Sequence, residues 1–140
     1  MFQDGMKMSG KLTISLNDEV VREVDNLVVT AGKEFVASRM IGTSANVMSH
    51  MAVGSGSTAA AAGDTALGSE LGRTTTSASA SGAVVTYSST FAAGTGTGAV
   101  TEAGLLNASS SGTMLCRTVF SVVNKGASDS MTVSWTVTVS

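Results

Sequence analysis

The closing run of the chain, Met131–Val139 (MTVSWTVTV), decides how the fold is read. Its odd positions, Met131, Val133, Trp135, Val137 and Val139, are apolar, and its even positions, Thr132, Ser134, Thr136 and Thr138, carry small hydroxyl side chains. A period of two is the mark of a β-strand, in which successive side chains point to opposite faces. At about 3.3 Å per residue the run spans roughly 30 Å, the depth of a small sandwich. One face is built for a core and centres on Trp135, the only tryptophan. The other is a hydroxyl row, in which Thr132 and Thr136 are candidate contacts to a neighbouring subunit.

Working outward, the preceding run at 113–123 (TMLCRTVFSVV) places Met114, Cys116, Thr118, Phe120 and Val122 on one side and Leu115, Arg117 and Val119 on the other. Apolar residues on both faces predict a central strand, or one whose outer face meets another subunit. Earlier still, AVVTYSSTF at 83–91 puts Ala83, Val85, Tyr87, Ser89 and Phe91 on one face, with Gly82 marking a hairpin turn and Gly94, Gly96 and Gly98 the next turn. KLTISL at 11–16 alternates as well, and Asn17-Asp18 leads either into a hairpin or between two offset strands. VMSHMAV at 47–53 is a candidate for a short buried strand. The one helix lies near 31–41, with Thr30 as N-cap, Phe35 and Met40 plugging an end of the core, and Gly42 as terminator. Strands recurring about every dozen residues predict a mainly β protein, an antiparallel β-sandwich or jelly-roll. Residues 1–10 read as a flexible lead and 11–140 as a single domain.

The composition narrows the function classes. Charged residues are 13% of the 140, aromatics 4%, and the net charge is −2. So few basic residues, scattered along the chain, speak against nucleic acid as the partner, because phosphate binding needs a concentrated basic surface. No apolar run of 18 residues is present, which speaks against a transmembrane helix. The opening MFQDGMKMSGK lacks the apolar centre of a signal peptide. Cys116 is the only cysteine, so no intramolecular disulfide forms.

Residues with chemistry are sparse. His50 is the only histidine. A His50–Cys116 nucleophile pair needs an exposed, activated thiolate, whereas Cys116 falls on the apolar face of a strand, so both read as structural. The glycine stretches 54–63 and 94–98 lack the lysine and hydroxyl residue of a phosphate loop. Asp64, Glu70 and Glu102 match no calcium-loop spacing and read as solvated acids. No catalytic residue, metal site or cofactor is expected. The long connection at 54–68, rich in Gly, Ala and Ser, has the character of loops that carry binding or assembly. Gly54, Gly56, Asp64 and Leu67 in it, and Met1, Phe2, Met6 and Met8 in the lead, are the remaining candidate contacts.

The segment VMSHMAVGSGSTAAAAGDTALGSELGRTTT at 47–76 resembles a motif of small bacteriophage virion proteins, and NLVVTAGKEFVASRM before it and the chain from Phe91 onward extend the likeness. The family is that of capsid cement, or decoration, proteins of tailed phages, with similar modules in tail fibres and tailspikes. The resemblance implies a homo-oligomer, dimer or trimer, that binds the major capsid protein on the outer surface of the virion after assembly in the host cytoplasm. It implies no catalytic residues, no nucleic acid and no membrane partner. The alternative it leaves open is a tail-fibre or tailspike receptor-binding module. A chain of this length shows no shaft, repeat or coiled coil with which to reach a host.

Overall fold

A computed structural model describes residues 6–43 and 45–140; the candidate contacts Met1 and Phe2 lie outside them. In chain order the elements are β1 (Met8–Leu16), β2 (Glu19–Asp25), β3 (Leu27–Val28), α1 (Thr30–Met40), β4 (His50–Gly54), β5 (Glu70–Thr75), β6 (Ser77–Ser81), β7 (Val84–Phe91), β8 (Gly98–Leu106), β9 (Met114–Lys125) and β10 (Met131–Val139). They form two five-stranded sheets, ordered β2-β1-β10-β7-β6 and β3-β9-β8-β4-β5, in which every pairing is antiparallel. The protein is a β-sandwich with one short helix. First and last strands meet at the centre of the first sheet, so β10 is flanked on both sides, by β1 and β7.

The alternation of β10 is realised as read. Met131, Val133 and Trp135 are fully buried and Val137 nearly so, while the hydroxyl positions are half-exposed. Leu12 and Ile14 of β1 and Phe91 of β7 complete the inner face of the first sheet. Met51, Val53, Val100, Ala103, Leu105, Cys116 and Phe120 oppose them from the second. Asn17 (φ 49°) and Asp18 (φ 68°) form a two-residue turn with both centres in the left-handed region, which fixes β1 and β2 as a hairpin. The strand begins at Met8, paired with Val139, rather than at Lys11, so the last three residues of the expected lead belong to the sheet.

Three local expectations change. Thr30 is the first helical residue, and the N-cap is Val29, which offers no side-chain bond. The helix is anchored instead by Val29 N–H donating to Leu115 O (3.1 Å) and Thr30 N–H to Ala62 O (2.8 Å). Phe35 packs on the core, but Met40 is 80% exposed and plugs nothing. In β9 the alternation breaks. The register passes from Glu102↔Val119 to Val100↔Val123, three β9 residues standing opposite one of β8, and this irregularity turns Val122 outward and Val123 into the core.

Candidate functional site

Two surfaces of the sandwich carry the candidate residues. The outer face of the second sheet is covered by the irregular segment 55–69, a strap between β4 and β5. Glu102 of β8 points outward beneath it and is completely buried. Its carboxylate accepts five hydrogen bonds: from Gly56 N–H (2.7 Å) and Ser69 N–H (2.8 Å) at Oε2, and from Gly68 N–H (2.8 Å), Arg117 Nη2 (2.9 Å) and Arg117 Nε (3.1 Å) at Oε1. Arg117 reaches further into the strap, donating to Asp64 Oδ2 (2.9 Å) and Thr58 O (3.0 Å). Thr101 Oγ1 adds a bond to Gly56 O at 2.7 Å. The glycines are a steric condition of this arrangement, since a Cβ on Gly54 would stand 2.6 Å from Glu102 Oε2.

Burial works to raise the pKa of Glu102, but the N–H groups of Gly68 and Ser69, the Arg117 guanidinium and Gly56 N–H outweigh it and hold it below its ordinary value. Asp64 is lowered too, by Ala61 N–H above all and by Arg117, against a smaller effect of burial. Both are anions paired to one guanidinium, and Glu70 pairs with Arg73 at 2.7 Å. Glu102 is therefore not the solvated acid expected. With both oxygens occupied by donors, it is placed to fix the strap and not to move protons. Gly54 is buried, Gly56 is bonded to Glu102, and Leu67 packs with Val29, Ala52, Leu106 and Met114 in a second small apolar cluster. The strap residues expected to meet a neighbour thus also make contacts within their own chain. What the strap turns outward is small: Ser55, Ser57, Thr58, Ala59 and Thr65 are exposed.

The second surface is the outer face of the first sheet. The cross-strand register aligns hydroxyl residues in four rungs across adjacent strands. Thr13, Ser134, Ser88 and Ser77 form one, with Glu23 of β2 at its end. Lys11, Thr136, Thr86 and Ser79 form the next, ending on Asp25, while Ser9, Thr138, Val84 and Ser81, and then Ser15, Thr132 and Thr90, complete the set. Rungs follow every second residue, roughly 7 Å apart, and neighbours within a rung stand about 4.8 Å apart. Thr132 and Thr136 sit in the middle strand of this lattice. Charge is confined to Lys11 and the acids of β2, and apolar side chains to Val84 and to Val20 at the far end of one rung.

His50 and Cys116 do not meet. Met51, Leu105 and Cys116 lie side by side across β4, β8 and β9, facing the core, while His50 pairs with Leu106 one position out of phase. Cys116 is fully buried, with its thiol pushed far up by the loss of solvent, and His50 Nδ1 lies 2.8 Å from Ser49 Oγ. Among the described residues no group of three His, Cys, Asp or Glu side chains is arranged for a metal, and no helix is long and apolar enough to cross a membrane. Met6 is 78% exposed beside β1. The Glu102–Arg117 centre escaped the sequence. Its one trace there is an arginine set between Cys116 and Thr118 in the largely apolar first half of its strand. Compared with protein-family models, curated proteins and solved structures, the chain matches none.

Proposed function

We propose that this protein is a non-enzymatic capsid cement protein of a tailed bacteriophage, which binds the outside of a shell of major capsid protein and bridges capsomers. The observation that carries this reading is the four-rung hydroxyl lattice on the first sheet. Small side chains give a surface of low relief, and Ser and Thr lose far less rotamer entropy on burial than the Lys and Glu of an ordinary solvated face. Such a face suits repeated packing against a protein lattice and offers no concave site for a substrate. The resemblance to virion proteins supplies the partner.

The mechanism is buried area multiplied by symmetry. A standard interface buries on the order of 1,600 Å², and a dimer or trimer engaging several capsomers gains further through effective concentration. The Glu102–Arg117 tie suits the role, because it fastens the one long irregular segment to the sheet beneath it.

The test adds the purified chain to expanded, undecorated capsids and follows binding and heat resistance. Saturable binding with a raised disruption temperature is expected, and Ser134→Arg with Thr136→Arg should weaken it at least tenfold with the fold intact. Absence of binding, or binding indifferent to the double substitution, would overturn the proposal. A handful of copies at the tail, instead of hundreds on the shell, would point to the receptor-binding module.

A further inference from the structure

One end of the sandwich is left incompletely filled. There α1 packs Phe35 and Val36 against the core and leaves a gap between helix and first sheet. The gap is a cleft of about 230 Å³. Its walls are apolar: Phe35 and Val36 from the helix, Met48 from the segment after it, Leu115 from β9, and Val85 and Val137 from the first sheet. Two polar side chains, Tyr87 and Arg39, are among its lining residues. Tyr87 lines the wall, its pKa raised chiefly by burial, so that the phenol remains a neutral donor at physiological pH. Arg39, in the last turn of α1, stands at the mouth, with Nη1 held at 2.9 Å by the carbonyls of Thr43 and of Ala45. An adjoining hollow of about 400 Å³ shares Met8 and Val36 with the cleft and adds Lys7 and Lys33.

The charge is one-sided. Three of the chain's eight basic residues line these two joined hollows, and among the described lining residues there is no carboxylate, in a chain whose net charge is −2. An apolar cavity with a few convergent polar groups is the usual form of a small-molecule site, and this one is smaller than the roughly 300–1,000 Å³ of drug-sized sites. Apolar depth with a cationic mouth selects an amphipathic anion over a neutral or cationic one.

From this placement we propose that the cleft between α1 and the first sheet binds a free medium-chain monocarboxylate, its acyl chain among Val36, Leu115 and Val137 and its carboxylate at Arg39. An apolar cavity of about 150 Å³ takes the carbons of benzene, so about 230 Å³ takes a chain of roughly nine or ten carbons. The site lies away from the hydroxyl lattice and stands or falls independently of the capsid proposal.

The experiment titrates the full chain with sodium decanoate, below its micellar range, and follows valine and leucine methyl resonances. Saturable shifts centred on Val36, Val85, Leu115 and Val137 are expected, with affinity rising roughly fourfold per methylene from hexanoate to decanoate. Decyltrimethylammonium should bind at least tenfold more weakly. Arg39→Gln should weaken decanoate about tenfold and leave decanol unchanged. Should that variant loosen the turn at 43–45 and fail to fold, Lys33→Gln and the contrast between decanoate and the cation on the unaltered chain decide the matter. Equal binding of the cation, shifts mapping elsewhere, or methyl shifts that follow protein concentration without ligand, as a second copy closing the cleft would give, each overturn the proposal.

Discussion

Replacing Glu102 by Gln tests the tie beneath the strap with the smallest change of shape. The amide keeps one acceptor oxygen and turns the other into a donor. If that oxygen takes the Oε2 place, the new NH₂ faces Gly68 N–H and two nitrogens of Arg117; if the oxygen takes the Oε1 place, the NH₂ faces Gly56 and Ser69 N–H. Either way at least two buried donors meet a donor. Arg117 meanwhile loses its buried counter-ion and keeps only Asp64, which is a quarter exposed. Breaking a buried pair by removing one partner costs about 3–5 kcal/mol, and the surviving Asp64 contact places the value near the lower end. With a urea m-value of about 2 kcal/mol/M, the midpoint should fall by about 1.5–2 M.

Urea unfolding followed by Trp135 fluorescence measures this loss, and limited proteolysis reports where it falls, since cleavage within 55–69 should appear well before global unfolding. Arg117→Met should be non-additive with Glu102→Gln by about 0.5–3 kcal/mol, because both act on one network. A midpoint lowered by less than about 0.5 M, with the strap still resistant, would refute the assignment of Glu102 as its anchor.

The folded-state pKa of Glu102 is depressed, so its contribution is fully present above its unfolded value of about 4.3 and is lost as pH falls through the folded value; the stability curve should drop below about pH 4, and Glu102→Gln should flatten that limb. Trp135→Ala empties the centre of the core and should cost about 3–5 kcal/mol by calorimetry; a near-neutral value would move the tryptophan to the surface. Gly32→Ala raises helix propensity by about 1 kcal/mol, yet its Cβ would press on the Leu115 carbonyl, where α1 docks on β9. The clash should win, with a net loss of about 1–2 kcal/mol. Cys116 should resist iodoacetamide in the native protein and react only on unfolding, as its complete burial requires.

How much of this was legible in the sequence follows from the range over which each force acts. Met131–Val139 announced itself because alternation is local: nine residues suffice to separate the Trp135 face from the Thr136 face. The left-handed turn at Asn17-Asp18 and the glycine turn at Gly82 were likewise readable, their residue types tolerating positive φ. The Glu102 network was not, because its members are set 15 to 46 residues apart and meet only once β4, β8 and β9 are side by side. Val122 went astray for a related reason: the irregularity opposite Thr101 depends on the partner strand, and no periodicity within β9 encodes it. Thr30 has the residue type of a cap, but the chain satisfies that helix end with long-range bonds to Leu115 and Ala62.

The two outer faces also explain each other. A charge-poor chain has few means of keeping a sheet face from indiscriminate association. On the second sheet the strap solves this by covering Ala52, Leu106 and Met114, and a buried carboxylate with five donors holds it there more specifically than apolar contact alone would. Among the described residues the first sheet has no such cover and needs none, because most of its outward residues are hydroxyls that water and a protein lattice satisfy equally well. If the strap exists to leave a single face available, releasing it should create a new association. Glu102→Gln should then sediment as larger species than the parent chain and Ser134→Arg at equal concentration, and Glu102→Gln with Leu67→Glu, which makes the strap's own apolar contact polar, should associate further. Variants that lose stability while sedimenting unchanged would show that the strap stabilises the sheet without guarding it.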